Sequence, residues 1–164
     1  MIKKLLLAVM VMLPSMAFAQ KFGVINTEEL MKSLPEMTEI QTQIEAASKK
    51  YTDELQNLQK EFQAKYEDLQ KMDENSPESI KQRRVSELQE LDQKIQQFRQ
   101  TADQDLQRQY QQLMAPVQQK VTSAIQSVGQ AGNYTMIFEN VIPLYTGSDV
   151  TDITPTVKAK LGVK

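Results

Sequence analysis

Across the middle of this 164-residue chain runs an apolar stripe of helical period, which neither a sheet nor a disordered tract would show. From about Glu36 to Met72 it comprises Ile40, Ile44, Ala47, Tyr51, Leu55, Leu58, Phe62, Tyr66, Leu69 and Met72, in steps of three or four residues. Val85, Leu88, Leu91, Ile95, Phe98, Ala102, Leu106, Tyr110, Leu113, Val117, Val121, Ala124 and Val128 line one face of the second half. Ile40, Tyr51 and Phe62 stand eleven apart, as do Ile95, Leu106, Val117 and Val128. A repeat of eleven is about 3.67 residues per turn, so the stripe runs nearly straight or winds slightly right-handed.

The stripe breaks once, at Asp73-Glu74-Asn75-Ser76-Pro77. Ser76 suits an N-cap and Pro77 the first helical position, where a missing N–H costs nothing. A tight turn at 73–77 predicts two long helices folded back as an antiparallel hairpin. The first arm would reach roughly 55 Å at about 1.5 Å of rise per residue. The other faces are polar, with Glu→Lys pairs four apart at Glu45–Lys49, Glu61–Lys65, Glu67–Lys71 and Glu90–Lys94. Twenty-one glutamines between Gln41 and Gln130 add helix-favouring, uncharged solvation. Pro116 should kink the second helix near Ala115, since it removes a backbone bond and crowds the preceding turn.

Composition narrows the chemistry. With no Cys and no His there is no thiolate nucleophile, no cysteine-ligated metal centre and no imidazole proton shuttle. Five glycines, at 23, 129, 132, 147 and 162, write neither a dinucleotide fingerprint nor a phosphate loop. Glu139, Asp149 and Asp152 could be drawn as a carboxylate metal site, but Asp149 and Asp152 read first as turn and cap residues before the last helix. Asp103 and Asp105 lie two apart on a helix and face different ways. Asn133-Tyr134-Thr135 matches a glycosylation sequon, a pattern common by chance. No catalytic residue, metal or cofactor is expected, and without interleaved basic and aromatic residues no nucleic acid is either. The balance favours a binding or structural protein.

Residues 1–19 read as an export signal. Lys3 and Lys4 precede the apolar run Leu5–Leu13, and Ala17-Phe18-Ala19 supplies a small-residue cleavage site, predicting a mature start at Gln20. The run is shorter than the roughly 20 apolar residues of a membrane span. Losing both lysines takes the formal net charge from −2 to −4. A soluble periplasmic protein is expected.

The remaining segments, 20–35 and 129–164, should form a small β-rich body from which 36–128 projects as the hairpin arm. Lys21-Phe22-Gly23-Val24-Ile25 reads as a strand, and Asn26 with Glu29 as a capping box opening a short helix. Ser33 and Glu36 offer the same pairing at the start of the arm. Gly129 and Gly132 should stop the second long helix. Tyr134–Phe138 reads as a strand, and Val141–Tyr145 as another that Pro143 confines to an edge or bulge. Thr154-Pro155 opens a last helix through Leu161, closed by Gly162. Three short strands with open edges are marginal alone, and exposed edges invite pairing with another chain. Phe22, Val24, Met136 and Phe138 are the candidate oligomerisation residues.

The order of these parts, with the opening Lys21-Phe22-Gly23-Val24-Ile25-Asn26-Thr27 and the closing Ser148-Asp149-Val150-Thr151-Asp152-Ile153-Thr154, resembles the Skp/OmpH family of periplasmic chaperones. The resemblance covers essentially the whole mature chain. It implies an α+β, mostly helical protein: a homotrimer whose strands build one β-barrel body, with three helical hairpins enclosing a cavity. It also implies an ATP-independent holdase for unfolded outer-membrane β-barrel proteins. The best-known members are basic with positively charged arm tips. This chain is acidic, and near its turn Lys71, Lys81, Arg83 and Arg84 are offset by Asp73, Glu74 and Glu78. A basic lipopolysaccharide or anionic-membrane site therefore does not carry over, and no basic membrane anchor is evident.

Unfolded barrel strands alternate apolar and polar residues and offer no continuous stripe, so they suit many weak contacts from several arms. Met72, Ile80 and Val85, near the tip and surplus to packing within the hairpin, are the candidate client contacts; each taken singly reads first as packing. Long arms one layer thick should bend near their midpoint or at Pro116. The alternative is a structural coiled-coil spacer or adaptor of the envelope without an unfolded client.

Overall fold

The structure, a computed structural model, describes residues 20–163. The predicted export signal at 1–19 lies outside them. In chain order the elements are β1 (Phe22–Ile25), α1 (Thr27–Lys32), α2 (Pro35–Gln70), α3 (Glu78–Ala131), β2 (Met136–Glu139), β3 (Thr151–Asp152) and α4 (Thr154–Leu161). Helix dominates, with one small sheet, so the class is α+β and mostly helical.

α2 and α3 pack against each other as the hairpin, 36 and 54 residues long. At about 1.5 Å per residue they extend roughly 54 Å and 80 Å. Their mutual burial forms two separate clusters. Leu58, Leu91 and Ile95 are buried halfway along, with Leu55, Phe62 and Phe98 packed around them. Ile40, Met114, Val117, Val121, Ala124 and Val128 belong to the second cluster, which continues into the body through Ile25, Leu30, Leu34, Ile153 and Val157. Between the clusters the Tyr51 hydroxyl donates to Asp105 Oδ2 at 3.1 Å. Alanines at 47 and 102 leave less apolar bulk to bury at that level.

Several local readings shift. Pro77 is itself the residue before the first helical turn, and its carbonyl accepts from the amides of Ile80 and Lys81, one position later than a Ser76 cap would place it. Ser33 does not cap α2: its hydroxyl donates back to the Leu30 carbonyl, and Leu34 precedes Pro35 at the helix start. Asn26 does cap α1, its Oδ1 accepting from the Glu29 amide at 2.9 Å. The reciprocal half of the box is absent, because the Asn26 amide donates to Thr154 Oγ1 and the Glu29 carboxylate accepts from Lys158. A distant element has taken over what a local pair would supply. α3 passes through Pro116 as one helix. It also passes through Gly129, which is buried and lets Ile137 close in; a Cβ there would lie 3.0 Å from Ile137 Cδ1. The helix ends at Ala131 with Gly132 as its C-cap, as expected of the second glycine, and the next residue, Asn133, takes a left-handed φ of 52° that Asn tolerates.

The sheet has the order β2-β1-β3 and is parallel throughout. Parallel neighbours need long crossovers. The whole hairpin provides the one between β1 and β2. Val141–Tyr145 is not a strand; it leaves β2 through a turn and runs exposed. The third strand is Thr151–Asp152, paired with Gly23 and Val24. Val141 to Tyr145 carries the stronger β composition, but Thr151–Asp152 is anchored, since Asp152 Oδ1 accepts from both the Thr154 amide and hydroxyl, at 2.9 and 2.6 Å. Gly162, at φ 77°, closes α4 as expected.

Candidate interaction surfaces

Strand alternation divides the sheet into two faces. Gly23 and Ile25 are buried toward the helices, whereas Phe22 and Val24 are turned the other way and only half-buried. The register places Phe22 beside Met136 and Val24 beside Phe138. The four predicted oligomerisation residues therefore share one face, with the Phe22 and Phe138 rings 6.4 Å apart. Met136 is 55% exposed and Phe138 37%. Among the described residues no helix covers that face, since the buried cluster lies on the Ile25 side.

The segment following β2 adds to it. Val141, Ile142, Leu144 and Tyr145 are 66–107% exposed, four large apolar side chains within five residues. Contiguous apolar exposure of this kind marks an interaction surface. The sequence signal was present in the apolar run itself, but strand composition alone could not say that the run pairs with no strand among the described residues.

The hairpin tip carries a second surface. Ile80 and Val85 are exposed and Met72 is half-buried; none of the three belongs to either buried cluster. Tyr66 belongs with them although its spacing assigns it to the packed stripe. Its ring is 47% exposed and stacks on Phe62 at 6.5 Å with planes 6° apart. Charge around this surface is tied up locally. Glu87 of α3 accepts from Lys65 of α2 at 3.2 Å and from Arg83 and Arg84 on its own helix. The Lys65 hydrogen bond, with help from Arg83 and Arg84, holds the Glu87 carboxyl below its ordinary pKa. Of the four predicted Glu→Lys pairs only Glu67–Lys71 forms, at 3.7 Å. Lys65 abandons Glu61 because the partner helix presents Glu87. At the arm root Lys120 of α3 bonds Glu36 in the first turn of α2, and this contact lowers the Glu36 pKa.

The acidic residues drawn as a metal site have other work. Glu139 Oε1 accepts from the Thr27 amide at 2.9 Å, Asp152 bonds Thr154, and Asp149 accepts from Ser148 at 3.3 Å. Among the described residues no group of three or more His, Cys, Asp or Glu side chains could hold a metal ion. No described helix is long and apolar enough to cross a membrane.

Residues 21–161 match the protein family described as Outer membrane protein (OmpH-like). The fold is similar to the crystal structure of a Caulobacter crescentus protein described as an outer membrane chaperone (OmpH-like), with a TM-score of 0.74 and 15% identity. That match covers 87% of this chain and 83% of the other. No curated protein is a significant sequence match.

Proposed function

Because the chain belongs to the OmpH-like outer membrane protein family, whose match spans residues 21–161, we propose that its chaperone role is that of an ATP-independent periplasmic holdase. In this reading the export signal at 1–19 is removed. Three copies merge the body formed by 20–35 and 129–164 into one closed barrel, and the arms at 36–128 surround a cavity for unfolded outer-membrane β-barrel proteins.

The observation that carries the reading is the apolar sheet face of Phe22, Val24, Met136 and Phe138, which no described helix covers, with the exposed Val141–Tyr145 segment following it in the chain. A short three-stranded sheet with that much uncovered apolar area is marginal alone, and identical copies can bury it by closed symmetry. Clients would touch the arms through Met72, Ile80 and Val85, together with Tyr66. Each contact is weak, and several arms acting at once supply the avidity. Release needs no fuel, because the client's own burial in the bilayer or handover to an assembly partner drives it.

The test dilutes a urea-denatured outer-membrane β-barrel into the purified mature protein. The holdase reading predicts a soluble stoichiometric complex. Unaltered aggregation, with a folded partner bound instead, would identify an envelope spacer.

A further inference from the structure

A trough of about 570 Å³ lies between the last turns of α3 and one side of α4, away from the surfaces described above. Its apolar walls are Val128 and Ala131 from α3 and Ala159 from α4. Tyr134 forms a further part of the lining, and its ring lies against Gly132, where a Cβ would lie 2.4 Å from Tyr134 Cε2, so only glycine admits the ring at that position. Lys21 and Lys160 are the charged lining residues, and no carboxylate joins them, although the chain as a whole is acidic. The Lys21 ammonium donates to the Gly132 carbonyl at 3.0 Å and sits 4.2 Å from the centre of the Tyr134 ring. An ammonium has three donors, so this leaves capacity for an incoming anion. Ser127 and Thr156 add hydroxyls to the walls.

An occupant complementary to this trough is apolar along its body and negative at one end. We propose that it is the free C-terminus of an extended polypeptide, its last side chain against Val128, Ala131 and Ala159 and its α-carboxylate facing Lys160 and Lys21. The Ser127 and Thr156 hydroxyls favour a peptide over a fatty acid, since a peptide backbone can pair with them and a hydrocarbon tail leaves them unpaired. The inference rests on the holdase reading only for the source of the polypeptide.

The test uses the full mature chain and an N-terminally fluorescein-labelled hexapeptide ending in leucine, as free acid and as amide, followed by fluorescence anisotropy. The free acid should bind and the amide should bind about tenfold more weakly, the loss of one charged contact. Lys160→Gln should weaken the acid by a similar factor and leave the amide unchanged, and Lys160→Arg should retain binding. Ala159→Phe, at an exposed position, should abolish both by filling the trough, with helicity by circular dichroism unchanged. Equal binding of acid and amide, indifference to Lys160→Gln, or dodecanoate outcompeting the peptide would overturn the assignment. Aggregation suppression by the same variants is read separately: a protein that still holds a denatured barrel yet ignores the peptide refutes the trough and leaves the holdase standing.

Discussion

Replacing Phe138 with aspartate distinguishes a sheet face that is merely exposed from one that is shared. Within a single chain the Phe138 ring is 37% exposed and its aromatic neighbour is Phe22, 6.4 Å away. Losing that pair costs about 1 kcal/mol, and a carboxylate at the position can reach water. The lost burial of the ring adds up to about 2 kcal/mol, but the cluster of Ile25, Leu30, Leu34, Ile153 and Val157 is untouched, so the cost to a single chain should stay well below the cost to an assembly. In an assembly of three copies that shares this face the same carboxylate would be stripped of water. Even a modest penalty of about 3 kcal/mol per copy sums to roughly 9 kcal/mol, about three million-fold in the association constant. The arms should not notice, because Leu58, Leu91 and Ile95 are buried in a separate cluster halfway along the hairpin. Sedimentation velocity at low micromolar concentration should show dissociation while far-UV circular dichroism keeps its helical signal. Unchanged mass with unchanged helicity would refute the placement of this face in an interface. Loss of helicity before loss of mass would refute the independence of arm and body.

Other consequences are equally direct. Leu91→Ala, in the mid-arm cluster, should destabilise the arm by about 2–4 kcal/mol, read as faster hydrogen exchange along α2 and α3 with the sheet unaffected. Asn26→Ala removes the side-chain cap of α1 and should lower stability by about 1 kcal/mol in urea titration. Leu144→Ser on the exposed segment should weaken self-association without lowering the stability of the dissociated chain; a large loss of monomer stability would show that the segment packs within its own subunit. Glu87 has a folded pKa below its unfolded one, so its contribution is complete above the ordinary carboxylate value and disappears as pH falls through the folded value. Lys65→Gln should shrink that acid-side loss at the tip, measured as the pH dependence of local exchange.

How much of this was legible beforehand depends on the range of the forces involved. The stripe from Ile40 to Val128 required two paired helices, because burial of a period near 3.6 has no other economical solution. The alternation of Phe22 and Val24 against Gly23 and Ile25 likewise follows from two residues per strand repeat. What escaped were contacts made across the chain. Glu29 serves Lys158 instead of Asn26, Lys65 serves Glu87 instead of Glu61, and Gly129 admits Ile137 instead of ending a helix. Thr151–Asp152 became the third strand because Asp152 and Thr154 lock together beside β1, although Val141–Tyr145 is richer in strand-forming residues. Tyr66 keeps helical spacing yet ends up exposed and outside both buried clusters, its ring stacked on Phe62 of its own helix.

The most direct measurement is the native mass of the wild-type mature chain at low micromolar concentration. A single species three subunits in mass is predicted, with the Phe22–Phe138 face protected from solvent labelling. A stable, fully helical monomer whose sheet face labels freely would contradict it, for then nothing would gather the arms around a common space.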